Sequence, residues 1–269
     1  MKIEDFKVLG DTNEKISALG IGTWKLGINP KAEIEAIQTA INSGINFIDT
    51  AEIYGTEELV GKAIRGLRDD LFIATKVWTN HFHYDDVIKA CEGSLRRLNT
   101  DYIDLYQLHW PNPEVPIEET MKAMEKLLDE GKIRYIGVSN FSVEQFQEAQ
   151  KVCSKKIVSN QVKYNITVKD IEYDLLPFSE KEKISIIAYS PLGSGELFSQ
   201  RNKALLSKLA EIGKKYNKTA VQVALNFLIS HETVIAIPKA GNKEHVLENI
   251  GAMEWRLDKE DIKHIDNLL

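Results

Sequence analysis

The fold is decided by a ten-residue stretch, Asn46-Phe47-Ile48-Asp49-Thr50-Ala51-Glu52-Ile53-Tyr54-Gly55. It opens as a short apolar run of strand character, after the pair Ser43-Gly44, which is typical of a helix end. The run ends in a turn that holds the carboxylate of Asp49 and, five residues later, the phenol of Tyr54. The stretch therefore predicts a strand that delivers ionisable groups at its carboxyl end.

Two later runs of strand character repeat this arrangement. The run at 72–77 carries Lys76 near its carboxyl end, and the run at 105–110 carries His109 near its carboxyl end. With further apolar runs of similar length, strands are predicted at 18–22, 46–50, 72–76, 103–109, 135–139, 158–162, 184–189 and 234–238. Amphipathic helical patterns fill the intervals, with helix-capping signals at Ser142 and Asn242.

Eight strand–helix units at intervals of roughly 25–30 residues predict an α/β fold, a (β/α)8 TIM barrel, whose usual size is about 250 residues. Residues 1–269 are expected to form this single barrel domain. Residues 6–17 hold two short alternating runs around a turn, which predicts an N-terminal β-hairpin closing the bottom of the barrel. The last interval is longer and predicts extra helices near the C-terminus, at 205–216 and 219–230.

A doubly wound open sheet is the alternative architecture, and it would need a dinucleotide-binding fingerprint. The segment Gly20-Ile21-Gly22-Thr23-Trp24-Lys25 begins like one, but Lys25 stands where the third small residue belongs. The segment from Gly55 to Gly61-Lys62-Ala63 misses the P-loop pattern in both its spacing and its hydroxyl residue. Neither near-match favours the open sheet.

Composition and charge argue against several other classes of protein. The chain has 269 residues, 43% of them hydrophobic, and a net charge of −6 with lysine and glutamate interspersed. No basic stripe is present, so a nucleic-acid partner is not expected, and no apolar run is long enough to span a bilayer. The N-terminal residues carry charges and no apolar signal-peptide core, so a cytoplasmic protein without membrane association is expected.

The cysteine and histidine pattern predicts no metal site. Cys91 and Cys153 both lie in helical patterns, where a buried thiol acts as a small hydrophobic residue. His81 and His83 are one residue apart in a loop, and no acidic or cysteine partner is expected beside them. A solvated loop is therefore favoured over a metal-binding one.

The chemistry suggested by the strand ends is proton transfer beside a carbonyl group. In a (β/α)8 barrel, polar residues at the carboxyl ends of neighbouring strands meet at the active-site mouth. A lysine ammonium about 4 Å from a phenol contributes on the order of 4 kcal/mol at an effective dielectric of 20, so Lys76 is expected to lower the pKa of Tyr54. Asp49 would orient Lys76, and His109 would position a carbonyl oxygen by hydrogen bonding. This arrangement suits reduction if a hydride donor is bound.

Lys76 also admits a different chemistry. A lysine at the end of a barrel strand can form a Schiff base with a carbonyl substrate, so a lyase remains an alternative function.

The motifs along the whole chain resemble those of the aldo-keto reductase superfamily. They are Gly22-Thr23-Trp24, Asp49 with Tyr54, Lys76-Val77-Trp78, His109-Trp110, Gly137-Val138-Ser139-Asn140-Phe141, Asn160-Gln161, Ala188-Tyr189-Ser190-Pro191-Leu192-Gly193 and Ile237-Pro238-Lys239. The resemblance implies a TIM barrel that reduces aldehydes or ketones to alcohols with a nicotinamide cofactor. It places Asp49, Tyr54, Lys76 and His109 in the positions of the family's catalytic tetrad.

The resemblance also implies residue roles around the mouth. Tyr189 would stack on the nicotinamide, with Ser139, Asn140 and Gln161 bonding its carboxamide, while loops after the last two strands would hold the phosphates. The cofactor-binding residues implied are Gly22, Thr23, Trp24, Asp49, Ser139, Asn140, Gln161, Tyr189, Ser190, Leu192, Gly193, Ser194, Pro238, Lys239, Ala240, Gly241, Asn242, His245, Glu248 and Asn249. The substrate-binding residues implied are Trp24, Tyr54, Trp78, His109 and Trp110.

Two positions depart from the pattern of NADPH-preferring members. Ala240 stands where a hydroxyl residue is common, and His245 stands where an arginine is common. Lys239 still supplies a full charge for a 2′-phosphate, so NADP(H) is the expected cofactor and NAD(H) the alternative. The chain ends at Leu269 without the long C-terminal tail of some relatives, so an open substrate pocket is expected.

The resemblance leaves a second alternative function and fixes few partners. Some members of the superfamily bind NADP(H) as regulatory subunits with little turnover. A small-molecule aldehyde or ketone is the expected partner of a reductase, and the chain is expected to be a monomer or a weak homo-oligomer.

Overall fold

The structure, a computed structural model, describes residues 4–268 of the chain. Residues 1–3 and 269, which belong to the predicted domain, lie outside the described residues. Two short strands, β1 (Phe6–Val8) and β2 (Lys15–Ser17), pair antiparallel and form the predicted hairpin.

Eight further strands form one parallel sheet in which each strand is bonded to the next one along the chain. They are β3 (Ile21–Gly22), β4 (Phe47–Asp49), β5 (Phe72–Val77), β6 (Ile103–Leu108), β7 (Ile133–Ser139), β8 (Ile157–Lys163), β9 (Ser185–Tyr189) and β10 (Val234–Ala236). Seven of them are buried along all or nearly all of their length, because helices cover the outer face and side chains fill the interior.

The sheet closes on itself where its first and last strands meet. Isolated parallel bridges join Leu19 to Ala236 and Gly22 to Lys239 across this seam. Backbone bonds support the bridges, with the Gly20 N–H donating to the Ala236 carbonyl at 2.8 Å and the Gly22 N–H to the Pro238 carbonyl at 3.2 Å. The (β/α)8 barrel is thereby confirmed over the open sheet.

Ten α-helices accompany the strands in the described part of the chain. They are α1 (Pro30–Asn42), α2 (Glu57–Ala63), α3 (Tyr84–Leu98), α4 (Ile117–Asp129), α5 (Val143–Val152), α6 (Leu175–Glu182), α7 (Lys203–Tyr216), α8 (Ala220–Ile229), α9 (Lys243–Ile250) and α10 (Lys259–Asp266). The predicted capping box at Ser142 is present, and Asn242 caps α9 by accepting the His245 N–H at 2.9 Å. The predicted extra helices are α7 and α8, both between β9 and β10.

Strand boundaries differ from the predicted ones mainly at the seam and in β7. Regular pairing in the first barrel strand is limited to Ile21 and Gly22, because residues 18–20 meet the last strand only through isolated contacts. β7 begins at Ile133, two residues earlier than predicted, since Ile133 pairs with Ile103 of β6. Such contacts lie far apart in the sequence and leave no local signal.

The hairpin lies across the amino ends of the barrel strands, as predicted. Leu9 and Ile16 are fully buried and join the barrel interior with Phe47 and Phe72. The hairpin is also fixed by Lys7, whose Nζ donates to the carbonyls of three residues at the end of α8 and the start of β10. These are Ile229 (2.7 Å), His231 and Val234 (2.6 Å). The amino end of the barrel is therefore sealed, and the carboxyl end is left for a site.

Both cysteines are buried and free. Burial raises the pKa of the Cys91 thiol to about 12 and that of the Cys153 thiol to about 11, so neither ionises near neutral pH. Between residues 4 and 268, no helix combines the length and apolar character needed to cross a bilayer.

Candidate active site

The four residues predicted to carry the chemistry come together at the carboxyl ends of three neighbouring strands. Asp49 ends β4, Lys76 is the penultimate residue of β5, and His109 directly follows β6. Tyr54 ends a three-residue 3-10 helix, Glu52–Tyr54, which turns the chain back over the barrel after β4. Gly55 follows with a left-handed backbone (φ 68°), which frees the chain to leave the turn.

Lys76 is the centre of this group. Its Nζ lies 2.8 Å from Asp49 Oδ2, 2.8 Å from the Thr50 carbonyl oxygen and 3.5 Å from the Tyr54 hydroxyl. The hydroxyl of Tyr54 lies 3.4 Å from His109 Nε2 on its other side. The Lys76 and Asp49 side chains are almost completely buried, so their ion pair is shielded from solvent. The phenol is thus held between an ammonium and an imidazole.

Burial decides the protonation state of Tyr54. Removal from water raises the pKa of the phenol above its ordinary value; the Lys76 charge lowers it, and the Asp49 charge raises it further. The expected lowering by Lys76 is therefore wrong as a net direction, because the desolvation of a buried phenolate outweighs the attraction of one ammonium. Tyr54 keeps its proton at neutral pH and can donate it.

Lys76 and His109 respond to the same surroundings in opposite ways. Burial works to lower the pKa of Lys76. The negative charge of Asp49 and the contact with the Tyr54 hydroxyl outweigh burial, so the pKa is raised. Burial lowers the pKa of His109 to about 3, and the Lys76 charge adds to this effect. The site therefore holds a charged ammonium and a neutral imidazole.

Aromatic side chains surround the mouth at the positions predicted for substrate binding. The Trp78 ring meets the His109 ring edge to face with centroids 5.0 Å apart, and Tyr54 does so from 5.4 Å. Trp24 and Trp110 are 46% and 44% exposed, which is unusual for indoles in a folded chain. Trp78 and Tyr54 therefore pack on His109, while Trp24 and Trp110 present apolar surface to solvent.

The residues predicted to bond a carboxamide form one connected network. The Asn140 amide donates to the His109 carbonyl at 3.1 Å and to Ser139 Oγ at 3.0 Å, and its oxygen accepts the Tyr189 hydroxyl at 3.0 Å. Gln161 Nε2 donates to Asp49 Oδ1 at 2.7 Å. These bonds fix the Tyr189 ring beside the catalytic group and link β7, β8 and β9 to β4.

The loop after β9 has an unusual backbone. Ser190, Gly193 and Ser194 have φ values of 49°, 64° and 55°, and the hydroxyls of the two serines are 3.0 Å apart. The Gly193 N–H donates to the Ser190 carbonyl at 2.8 Å, and the Gly195 N–H donates to the Leu192 carbonyl at 3.3 Å. The segment predicted to bind phosphate is therefore a tight turn with several left-handed residues.

The segment after β10 brings a cation and a helix N-terminus to the same rim. Lys239 is exposed and, among residues 4–268, forms no ion pair with a carboxylate. Asn242 and His245 form the first turn of α9, and Asn249 is buried at its last turn. The remaining predicted residues here are Pro238, Ala240, Gly241 and Glu248, and the Glu248 carboxylate accepts the Thr219 hydroxyl at 3.2 Å.

This set of donors fits a nicotinamide dinucleotide phosphate. An aromatic face, amide and hydroxyl groups, the N-terminus of α9 and an ammonium without a carboxylate partner match the aromatic, amide and phosphate parts of such a molecule. The fit at the ammonium matters most, since a 2′-phosphate distinguishes NADP(H) from NAD(H).

Several residues of the site were not found by sequence reasoning. Thr50 and Thr56 are two of them: the Thr56 hydroxyl lies 3.0 Å from that of Thr50 and 3.0 Å from that of the predicted Thr23, which joins the loops after β3 and β4. Glu52 accepts bonds from the Trp78 backbone and from His81 Nδ1, the latter at 3.0 Å. The only signal for Glu52 is its place two residues before Tyr54.

The two loop histidines have acidic partners that the sequence does not bring near them. His81 bonds Glu52, and His83 Nδ1 lies 3.2 Å from Glu119 of α4. Across the described part of the chain, no cluster of three or more His, Cys, Asp and Glu side chains is placed to hold a metal ion.

Comparison with known proteins gives a consistent result. The family model described as "Aldo/keto reductase family" matches residues 18–269. Methylglyoxal reductase YeaE of Escherichia coli (strain K12) is 42% identical over 260 residues, which cover 93% of this chain and 90% of that protein.

Solved structures agree with this. A thermostable aldo-keto reductase crystallised with the inhibitor epalrestat has a TM-score of 0.92 and 46% identity. The match covers 98% of this chain and 99% of that one. An aldo/keto reductase from Klebsiella pneumoniae, crystallised with NADP and acetate, has a TM-score of 0.89 and 37% identity. The match covers 100% of this chain and 95% of that one.

Proposed function

Since this chain belongs to the aldo/keto reductase family, we propose that Asp49, Tyr54, Lys76 and His109 form its catalytic centre. The chain is an oxidoreductase that reduces aldehydes or ketones to alcohols with NADP(H). The observation that carries the proposal is the position of the protonated Tyr54 hydroxyl, within 3.5 Å of both Lys76 Nζ and His109 Nε2.

Each of the four side chains has one task in this proposal. When bound, the reduced nicotinamide supplies a hydride to the carbonyl carbon of the substrate. Neutral His109 hydrogen-bonds the carbonyl oxygen beside Tyr54, and Tyr54 transfers its proton to that oxygen as negative charge develops there. Lys76 then stabilises the phenolate left behind by on the order of 4 kcal/mol, and solvent restores the proton. Asp49 holds Lys76 charged and in place through their 2.8 Å contact.

The two alternative functions are not favoured. A Schiff-base lysine must be present as the free amine, which requires a lowered pKa. The pKa of Lys76 is instead raised, because its interactions with the Asp49 carboxylate and the Tyr54 hydroxyl outweigh burial. A regulatory subunit without turnover would not need a complete set of four polar groups in contact.

Replacing Tyr54 with phenylalanine tests the proposal. Tyr54→Phe is expected to lower kcat about 1,000-fold, because the proton donor is lost while the ring remains. The Kd for NADPH, measured by fluorescence titration, is expected to stay within about two-fold, because the phenol is not assigned to cofactor binding. Tyr102→Phe is the control, since the Tyr102 ring lies against Arg68 away from the mouth. Full activity in Tyr54→Phe would remove Tyr54 from the mechanism.

We also propose the predicted cofactor and substrate residues as the binding surfaces. Lys239 would pair with the 2′-phosphate, while Ala240 and His245 stand where a hydroxyl residue and an arginine are common, so discrimination against NAD(H) should be modest. The open aromatic entrance formed by Trp24, Trp78 and Trp110 supports a range of small aldehydes and ketones, and one relative is named for methylglyoxal. Titration with NADPH and NADH, followed by a substrate panel, tests both points.

Broader expectations stay predictions. They are a single domain over residues 1–269, a monomer or weak homo-oligomer, a cytoplasmic location, and no nucleic-acid or membrane partner. Light scattering during size-exclusion chromatography measures the oligomeric state, and cell fractionation measures the location.

A further inference from the structure

The turn that carries Tyr54 has little support of its own. It is a single turn of 3-10 helix, Glu52–Tyr54, without a side-chain cap at its start. Its backbone bonds are Tyr54 N–H to the Ala51 carbonyl at 3.0 Å and Gly55 N–H to the Glu52 carbonyl at 3.4 Å. Such short turns are weak by themselves, so something else must hold the phenol in place.

Glu52 ties this turn to the next loop of the barrel. Its Oε1 accepts the backbone N–H of Trp78 and, at 3.0 Å, Nδ1 of His81. The Glu52 side chain is only 10% exposed, so these bonds compete little with water. His81 lies in its own 3-10 turn and donates its backbone N–H to the Trp78 carbonyl at 3.0 Å. One carboxylate therefore joins the β4 loop to the β5 loop.

Both loops carry an aromatic ring that packs on the same imidazole. Tyr54 meets His109 with ring centroids 5.4 Å apart, and Trp78 meets it from 5.0 Å at an angle of 89°. The phenol oxygen stands 3.4 Å from His109 Nε2 and 3.5 Å from Lys76 Nζ, at the long end of hydrogen bonding. Proton transfer needs the phenol within about 2.6–3.2 Å of the substrate oxygen that His109 would hold, so a small displacement of the turn has a large effect on the rate.

We propose that Glu52 is a positioning residue for the reaction. By linking the Tyr54 turn to Trp78 and His81, its carboxylate sets the phenol against His109 and the substrate oxygen. This inference rests on the proposed role of Tyr54 as proton donor. Glu52 itself touches neither Tyr54 Oη nor Lys76 Nζ, so it acts through the backbone of its turn.

The chain offers a matched control for this role. Glu119 on α4 also accepts a backbone N–H, that of Tyr84 at 3.0 Å, and a histidine Nδ1, that of His83 at 3.2 Å. A clamp of this kind, in which one carboxylate accepts a backbone N–H and a histidine Nδ1, thus occurs twice around the loop after β5. Only the Glu52 clamp includes the turn that bears Tyr54.

The experiment compares Glu52→Leu, Glu52→Gln and Glu119→Leu. Glu52→Leu is expected to lower kcat about 10- to 100-fold and to raise the solvent deuterium isotope effect on kcat, because proton transfer from a displaced phenol becomes limiting. The Kd for NADPH is expected to stay within about two-fold. Glu52→Gln keeps an oxygen acceptor for the Trp78 N–H and is expected to recover most of kcat. Glu119→Leu is expected to leave kcat and the isotope effect unchanged.

The possible outcomes separate this inference from the proposed function. A Glu52→Leu enzyme with wild-type kcat, or a Glu119→Leu enzyme that loses as much, overturns the role of Glu52 alone. A wild-type enzyme that reduces no carbonyl compound with NADPH overturns both. If Glu52→Leu does not fold, His81→Leu takes its place. It is expected to lower kcat about three-fold and to raise the solvent deuterium isotope effect on kcat. Unchanged kcat and isotope effect in His81→Leu would refute the positioning role of Glu52.

Discussion

Tyr54 and His109 are both kept neutral by burial. The raised pKa of Tyr54 preserves the acid form, and the pKa of about 3 for His109 preserves the free base. A proton donor and a neutral hydrogen-bonding group therefore stand side by side over the whole physiological pH range. This pairing suits reduction, because the substrate oxygen gains negative charge during the reaction and then a proton.

The pH profile of reduction tests these protonation states. Reduction needs the proton on Tyr54, so kcat/KM is expected to be level from about pH 6 to about pH 9 and to fall as the pH rises through the raised pKa of the phenol. His109 titrates far below this range, so no limb is expected near pH 6.5. Steady-state rates at saturating NADPH across that range provide the measurement, and a rise or fall centred near pH 6.5 would contradict it.

The identities of the four central residues could be predicted from the sequence, but their electrostatics could not. Strand ends in a barrel converge by topology, so Asp49, Lys76 and His109 needed only correct strand assignment. The pKa of Tyr54 depends on how completely the turn buries the phenol, which no local pattern reports. Asp104 is a similar case: its carboxylate bonds Arg68 and Arg134, each at 2.6 Å, from elements distant in the sequence.

At the scale of single elements, the N-terminal hairpin contributes hydrogen bonds as well as apolar contacts to the amino end of the barrel. Lys7 reaches under the barrel and bonds three carbonyls in the connection from α8 to β10. This connection precedes the strand that leads to Lys239. The hairpin was predicted from its alternating pattern, whereas the contact of Lys7 spans more than 220 residues of sequence and could not be.

Lys7→Met is expected to lower the free energy of unfolding by about 1–3 kcal/mol. Methionine is unbranched like lysine and one atom shorter, and it leaves three partly buried carbonyls without their donor. Thermal or denaturant unfolding measures the change. Carbonyl reduction at 25 °C should be nearly unaltered, because the hairpin covers the end of the barrel opposite the mouth; unchanged unfolding would show that water replaces the ammonium without loss.

At the scale of the whole molecule, the seam between the first and last barrel strands joins the β3 loop to the segment proposed to bind the cofactor. Gly22 bonds the Pro238 carbonyl and forms a bridge with Lys239, so the β3 loop and the segment after β10 hold each other. A Cβ on Gly22 would lie 2.7 Å from the Ile237 carbonyl oxygen, which is part of the backbone and cannot rotate away. The seam therefore admits only glycine at this position.

Gly22→Ala is expected to lower both the melting temperature and the affinity for NADPH, the latter about ten-fold, because the strands beside Lys239 must move apart. Gly61→Ala is the matched control. Its Cβ would lie 2.6 Å from the Leu98 carbonyl oxygen between α2 and α3, away from the seam. It should lower the melting temperature with little effect on NADPH affinity, and equal losses of affinity in both variants would contradict the coupling.

The two buried cysteines leave the surface of the protein free of reactive sulfur. Because Cys91 and Cys153 are buried and remain protonated at neutral pH, maleimide reagents should not react with the folded enzyme. A single cysteine introduced at Ile28, which is 88% exposed in the loop after β3, would thus be the sole point of attachment for a fluorescent dye. The native chain is already suited to site-directed labelling beside its own entrance, without prior removal of any thiol.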